Sequence, residues 1–254
     1  MVVTVLGSGT SMGVPVVGCN CAVCHSPDPR DKRTRSSVLI EVDQLHLLID
    51  TSTDFRFQAL REGITHVDAV LFTHHHVDHI LGLDDLRSLT LLHNYTIPIY
   101  AEHETLANIQ RVFAYVFSNT QPISDIPRIT AHEIEEQPFQ IQNVTVVPIR
   151  LYHGPLPILG YRIGNFAYCT DVRYIPDASY QKLKGVEVLI LGALRYRPHP
   201  THFNFEQAIT AARRIGAKQT FFTHIAHQVA HQEGNAHLPD GIALAYDGMR
   251  VTIE

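Results

Sequence analysis

The sequence predicts a mixed α/β fold of two β-rich halves with interspersed helices, and three observations carry that reading. Short runs rich in Val, Ile, Leu and Phe recur along the chain and stop abruptly at glycine or polar clusters, as buried strands do. Segments that read as helices, Phe55–Glu62 and Phe205–Ile215 among them, lie between those runs. At 254 residues and 45% hydrophobic, the chain can bury a substantial core, and no linker, repeat or low-complexity run interrupts it. One compact domain over residues 1–254 is expected.

Taken in order, the chain opens on a strand, Val2–Leu6, which runs into the glycine turn Gly7-Ser8-Gly9-Thr10. No basic residues precede it, which argues against a secretory signal and for the cytoplasm. The glycine turn lacks the Lys and the spacing of a nucleotide P-loop, so it reads as a tight turn near a site. Strands follow near Val38–Val42, Leu45–Asp50, Ala69–Phe72 and Ile99–Ala101, with helices near Phe55–Glu62 and Glu104–Phe117. The second half places strands near Val144–Leu151, Tyr161–Ile163, Phe166–Cys169, Val188–Leu191, Gln219–Phe222 and Arg250–Ile253. Its helices lie near Ala178–Leu183 and Phe205–Ile215. No apolar stretch approaches the length that spans a bilayer.

The chemistry concentrates in Thr73-His74-His75-His76-Val77-Asp78-His79, where imidazoles and a carboxylate follow the apolar run Ala69–Phe72. Neutral imidazole and carboxylate suit zinc, manganese and iron, and a loop at a strand's end can turn alternate side chains inward. Three further candidates also terminate strand-like runs: His153 after Val144–Leu151, Asp171 after Phe166–Thr170, and His224 after Gln219–Thr223.

This ordered set resembles the metallo-β-lactamase superfamily of binuclear metallohydrolases, and the resemblance covers nearly the whole chain. It implies a four-layer αββα sandwich and two divalent catalytic metals, zinc or manganese. By that resemblance His74, His76 and His153 hold one metal, Asp78, His79 and His224 the other, and Asp171 bridges them. A second cluster, Cys19, Cys21 and Cys24, argues for thiolate coordination rather than disulfides, and one ligand is still needed to close a tetrahedral zinc site. His25 and His227 compete for that place. His227 is preferred, because an adjacent residue turns back onto the same ion with difficulty. The subgroup resembling the cyclic-phosphate phosphodiesterases of phosphonate metabolism also pairs Cys-x-Cys-x-x-Cys with Thr-His-x-x-His, here Thr223-His224-Ile225-Ala226-His227. The match extends to Gly7-Ser8-Gly9-Thr10, to Asp50 and to Tyr246-Asp247-Gly248-Met249. Asp50 is open between orienting a ligating imidazole and capping the next helix. Cys169 reads as a small apolar residue.

The resemblance implies a phosphodiesterase in which a shared water, its pKa lowered from that of bulk water towards neutrality, attacks phosphorus. Asp78 belongs to that machinery, and His202, in a loop before a helix, is the expected proton donor. A net charge of −5 with no basic run argues against extensive RNA binding. A small, cyclic phosphodiester is therefore the expected substrate, with Arg173, Arg195 and Arg197 near the site loops as candidate phosphate contacts. Thioester or lactone hydrolysis, tRNA 3′-processing and a non-catalytic metal-bound scaffold are the competing readings. The oligomeric state is open, a homodimer included.

Overall fold

A computed structural model describes residues 1–118 and 124–254. The first half lays six strands side by side in chain order: β1 (Val2–Gly7), β2 (Ser37–Val42), β3 (Leu45–Ile49), β4 (Ala69–Leu71), β5 (Ile97–Ala101) and β6 (Ile129–Glu133). The second half does the same with β7 (Phe139–Ile141), β8 (Val144–His153), β9 (Leu156–Ile163), β10 (Phe166–Cys169), β11 (Val188–Gly192), β12 (Gln219–Thr223) and β13 (Ile242–Leu244). The last strand, β14 (Arg250–Thr252), returns to pair antiparallel with β1, so each sheet has seven strands.

Alternating side chains explain why these strands stack in layers. In β3, Leu45, Leu47 and Ile49 point into a core shared with the second sheet, while Leu48 points outward. In β11, Val188 and Ile190 enter the same central core, and Leu189 and Leu191 face the other side. Both sheets are thus apolar on two faces, as strands covered on both sides must be. The outer face of the first sheet is covered by α1 (Phe55–Glu62), α2 (Val77–Ile80), α3 (Leu86–Leu92), α4 (His103–Val112) and α5 (Ala114–Phe117). That of the second carries α6 (Asp177–Lys182), α7 (Phe205–Ile215) and α8 (His231–Ala236). Three apolar interfaces between four layers give the αββα arrangement that the resemblance implied.

Strands β3 to β6 run parallel, as do β10 to β13, so their C-terminal ends share an edge. That edge is where open α/β sheets place their sites. The sheets are tied there: Leu159 N donates to Thr73 O at 3.0 Å and the Tyr161 hydroxyl donates to Phe72 O at 2.7 Å.

Two expectations need correcting. The single helix expected over Glu104–Phe117 is broken at Phe113 (φ −107°, ψ 40°), whose ring turns into the core under the first sheet. The metal motif is not all loop, since Asp78 and His79 lie on the short helix α2, where the backbone has already turned. Among the described residues no helix is long and apolar enough to cross a membrane.

Candidate metal centre

Asp50 and His224 follow β3 and β12 directly, Asp171 comes two residues after the end of β10, and each has a positive φ, at 62°, 60° and 53° respectively. That left-handed turn is tolerated by Asp and His better than by most residues, and it swings the side chain off the strand axis. Asp171 and His224 thereby meet, with His224 Nδ1 3.0 Å from Asp171 Oδ1. From α2, His79 Nε2 comes within 3.3 Å of Asp78 Oδ2 and 3.5 Å of Asp171 Oδ1. Asp78, His79, Asp171 and His224 are all buried, and their ligand atoms lie within 4.8 Å of one another.

A second set shares Asp171. His153, at the end of β8, groups with Asp171 and His202 within the same 4.8 Å limit. The His74 ring packs 4.6 Å from His76 and 5.8 Å from His153, and His74 Nε2 is 4.0 Å from Asp171 Oδ2. His76 lies 5.1 Å from His153, ring to ring. His74, His76 and His153 are therefore adjacent, as the motif implied. The proton-donor candidate His202 stands among them, 4.5 Å from the His153 ring and 4.9 Å from that of His224.

The tautomers follow from the supporting hydrogen bonds. Asp50, wholly buried, accepts from His79 Nδ1 at 2.7 Å and from Thr73 N and Oγ1, both at 2.8 Å. With its hydroxyl proton given to Asp50, Thr73 Oγ1 can only accept from His74 Nδ1, at 2.9 Å. His153 Nδ1 donates to Thr201 O at 2.8 Å. Each ring then turns its Nε2 towards the centre, and those of His74 and His79 are buried without a hydrogen-bond partner. Converging lone pairs on imidazole and carboxylate fit divalent cations. Asp50 orients a candidate ligand, and capping α1 falls outside its bonds. Thr201 was missed because it acts through a carbonyl, which any residue supplies.

Charge is tightly coupled here. Burial works to raise the Asp171 carboxyl, but His224 and His79 outweigh it and hold it well below the usual range. Burial works to lower His79, yet Asp171, Asp78 and Asp50 raise it well above an ordinary imidazole. A proton on His79 and a cation thus compete for the same carboxylates. Burial, followed by the charge of His224, pushes His202 down to about 3.

Some distance along the N-terminal loop, the Sγ atoms of Cys19, Cys21 and Cys24 converge on His227 Nδ1 at 3.3, 3.4 and 3.7 Å. The Cys24 backbone N–H, then His227, lower Cys21 to about 6, which favours the thiolate. His25 turns away to Asn20, and Cys169 is buried in the core outside the second sheet.

A family profile described as beta-lactamase superfamily domain matches residues 46–225. Among solved structures, a diphosphatase of the PhnP family superposes with a TM-score of 0.93 at 44% identity, covering 100% of this chain and 98% of that one. An octanoyltransferase of Porphyromonas gingivalis is 45% identical over 253 residues, 98% of this chain and 51% of that protein. A ribonuclease Z of Methanopyrus kandleri is 30% identical over 176 residues, 66% of this chain and 57% of that protein. The chain spans about half the length of these two curated relatives. With this fold and these clusters of candidate metal-ligating side chains, the chain belongs to the β-lactamase superfamily, as a PhnP-like protein of the metallo-β-lactamase fold.

Proposed function

We propose that the protein is a two-metal phosphodiesterase acting on a small, strained cyclic phosphodiester on a sugar or nucleoside. The observation that carries this reading is the position of Asp171 in both ligand sets, which suits a carboxylate shared by two ions. Asp78, His79 and His224 would hold one ion and His74, His76 and His153 the other. Zinc or manganese matches these donors. When bound, such ions supply an acidified water and neutralise the charge on phosphoryl oxygens.

The chain's own residues do the rest. Asp50 and the Thr201 carbonyl hold His79 and His153 in the tautomer that points Nε2 inward. His202, between the rings of His153 and His224, is placed to hand a proton to the leaving oxygen. Its imidazole is neutral in the free protein, so it takes up that proton only as the bound anion raises its affinity. Cys19, Cys21, Cys24 and His227 would hold a structural zinc that ties the N-terminal loop to the segment after His224.

The diphosphatase and the ribonuclease among the similar proteins both break phosphorus–oxygen bonds, which supports phosphodiester chemistry. The net charge of −5 supports a small substrate over structured RNA. Thioester hydrolysis is a second reading, since the octanoyltransferase relative, of which this chain matches 51%, handles an acyl group. A cytoplasmic enzyme, monomeric or homodimeric, completes the proposal.

The test is a screen of zinc- and manganese-reconstituted protein against cyclic phosphates, aryl phosphodiesters, thioesters, lactones and precursor tRNA. Cyclic phosphates are expected to show the highest kcat/KM. Asp171→Ala is expected to cost more than the roughly 10–100-fold typical of losing an outer-shell partner. Full activity in that variant with unchanged metal content overturns the two-metal reading. A preference for precursor tRNA with steep salt dependence overturns the substrate class.

A further inference from the structure

The glycine turn Gly7-Ser8-Gly9-Thr10 lies against the segment that carries His224. Ile225 N donates to Ser8 O at 2.9 Å and Thr10 N to Ile225 O at 3.3 Å, so Gly9 and Ile225 form a parallel bridge. The turn is also held from behind: Ser8 N and Oγ both donate to Asp247 Oδ1 at 2.9 Å, and Gly9 N donates to Thr34 O at 2.8 Å. Gly9 has no room for a side chain, since a Cβ would come within 2.8 Å of Arg33 O. Fixed in this way, Thr10 is buried and its Oγ1 lies 3.3 Å from His224 Nε2.

His224 differs from its neighbours in the nitrogen it turns to the centre. His74, His79 and His153 each tie down Nδ1, whereas His224 has Nδ1 3.0 Å from Asp171 Oδ1 and Nε2 against Thr10. A neutral imidazole carries one proton, which must sit on the other nitrogen before Nδ1 can bind an ion. Two acceptors hold that proton on Nδ1. One is Asp171, and the other is Ser36 Oγ at 3.3 Å, which gives its own proton to Gly9 O at 2.9 Å and so can only accept. On the far side of the ring the acceptor is Thr10. Its hydroxyl can also donate, so it serves His224 in either tautomer without moving. A carbonyl such as Thr201 O, which accepts from His153, fits one tautomer alone.

We propose that Thr10 is a positioning residue for metal binding: it accepts the His224 Nε2 proton and so frees Nδ1 as the ligand atom, the opposite nitrogen from that offered by His74, His79 and His153. The inference rests on the two-metal reading above. It gives the glycine turn a task, which is to hold one hydroxyl against one ligand ring.

The experiment loads protein carrying ¹⁵N-labelled histidine with ¹¹³Cd and reads by NMR which nitrogen of each ring is coupled to an ion. The His224 signal is assigned by its loss in His224→Asn, and an ion at the cysteine cluster is told apart by its thiolate-shifted resonance. Wild type should show ¹¹³Cd coupled to His224 Nδ1, with the proton on Nε2, and to Nε2 of His79. Thr10→Val keeps the side-chain shape without the hydroxyl and should lower zinc affinity by about 10–100-fold in competition with a chromophoric chelator. Thr10→Ser restores the hydroxyl and should recover most of that loss. Coupling of His224 through Nε2 overturns the role of Thr10, and this readout needs no variant of Thr10 to fold. Unchanged affinity in Thr10→Val, or an equal loss in Thr10→Ser, overturns it as well. Wild type that takes up a single ion outside the cysteine cluster overturns the two-metal reading itself, whereas two such ions with His224 bound through Nε2 overturn this proposal alone.

Discussion

Asp50→Asn tests how far the metal centre depends on a residue that need not touch an ion. Asp50 is 0% exposed and accepts three hydrogen bonds, from His79 Nδ1 at 2.7 Å and from Thr73 N and Oγ1 at 2.8 Å each. An amide has one acceptor oxygen where the carboxylate has two. If the amide NH₂ faces His79, the ring must switch its proton to Nε2, which then points at Asp78 and Asp171 and is lost as a ligand. If it faces the other way, the buried Thr73 N–H loses its acceptor, at about 1–3 kcal/mol. Metal affinity should fall by about 10–100-fold, equivalent to roughly 1.4–2.7 kcal/mol, in a competition titration against a chromophoric chelator. The pH dependence has a definite sign. His79 is raised well above its ordinary range, so near neutrality a proton occupies the site and must leave when the ion binds. Affinity therefore rises with pH, and Asp50→Asn, which removes one of the raising charges, flattens that rise. Affinity within twofold of wild type, with the same pH slope, refutes the argument.

His202→Ala should depress kcat far more for alkoxide leaving groups than for p-nitrophenolate, because general acid help is worth about 10²–10⁴-fold only when the leaving group needs it; equal losses on both point to binding instead. Cys21→Ser should remove one zinc per chain and lower the melting temperature, while catalytic metals can still be restored by manganese, which thiolates disfavour; unchanged zinc content and stability would refute the structural site. His231 is pushed down from 6.5 to about 4 by burial, then by Arg30 and Arg33, so the unfolded chain protonates first. Stability is lost as pH falls from about 6.5 to 4, by on the order of 3 kcal/mol at most. His231→Gln, which keeps the backbone donor to Asp31, should flatten that limb in acid denaturation, and parallel curves contradict it.

What was legible in the sequence follows physical lines. Strands buried on both faces, such as β4 and β11, announce themselves as continuous apolar runs. The edge strand β6, Ile129-Thr-Ala-His-Glu, is almost wholly exposed and has no apolar face to read. Three-residue strands such as β13 carry too few positions for a period, and α8, His-Gln-Glu-Gly-Asn-Ala, has no amphipathic pattern. Helix α2 was hidden because its residues, chosen for ligand chemistry, override propensity.

The site was legible as a list of residues but not as a geometry. Strand-end position was visible for Asp50, Asp171 and His224, yet nothing in residue type announces a left-handed backbone at all three. Other positive-φ residues, Asp43 and Gln44, lie in the hairpin turn between β2 and β3, where such angles close a tight connection. At the metal centre the same conformation closes nothing. It costs backbone strain, and in return it directs two candidate ligands and the carboxylate that orients a third onto one point. The strain is held by the sheet behind it: Asp50 N donates to Leu71 O and Ala193 N to Thr223 O, each at 2.9 Å. The fold thus supplies the rigidity, and the ligand residues spend it at the ends of its strands.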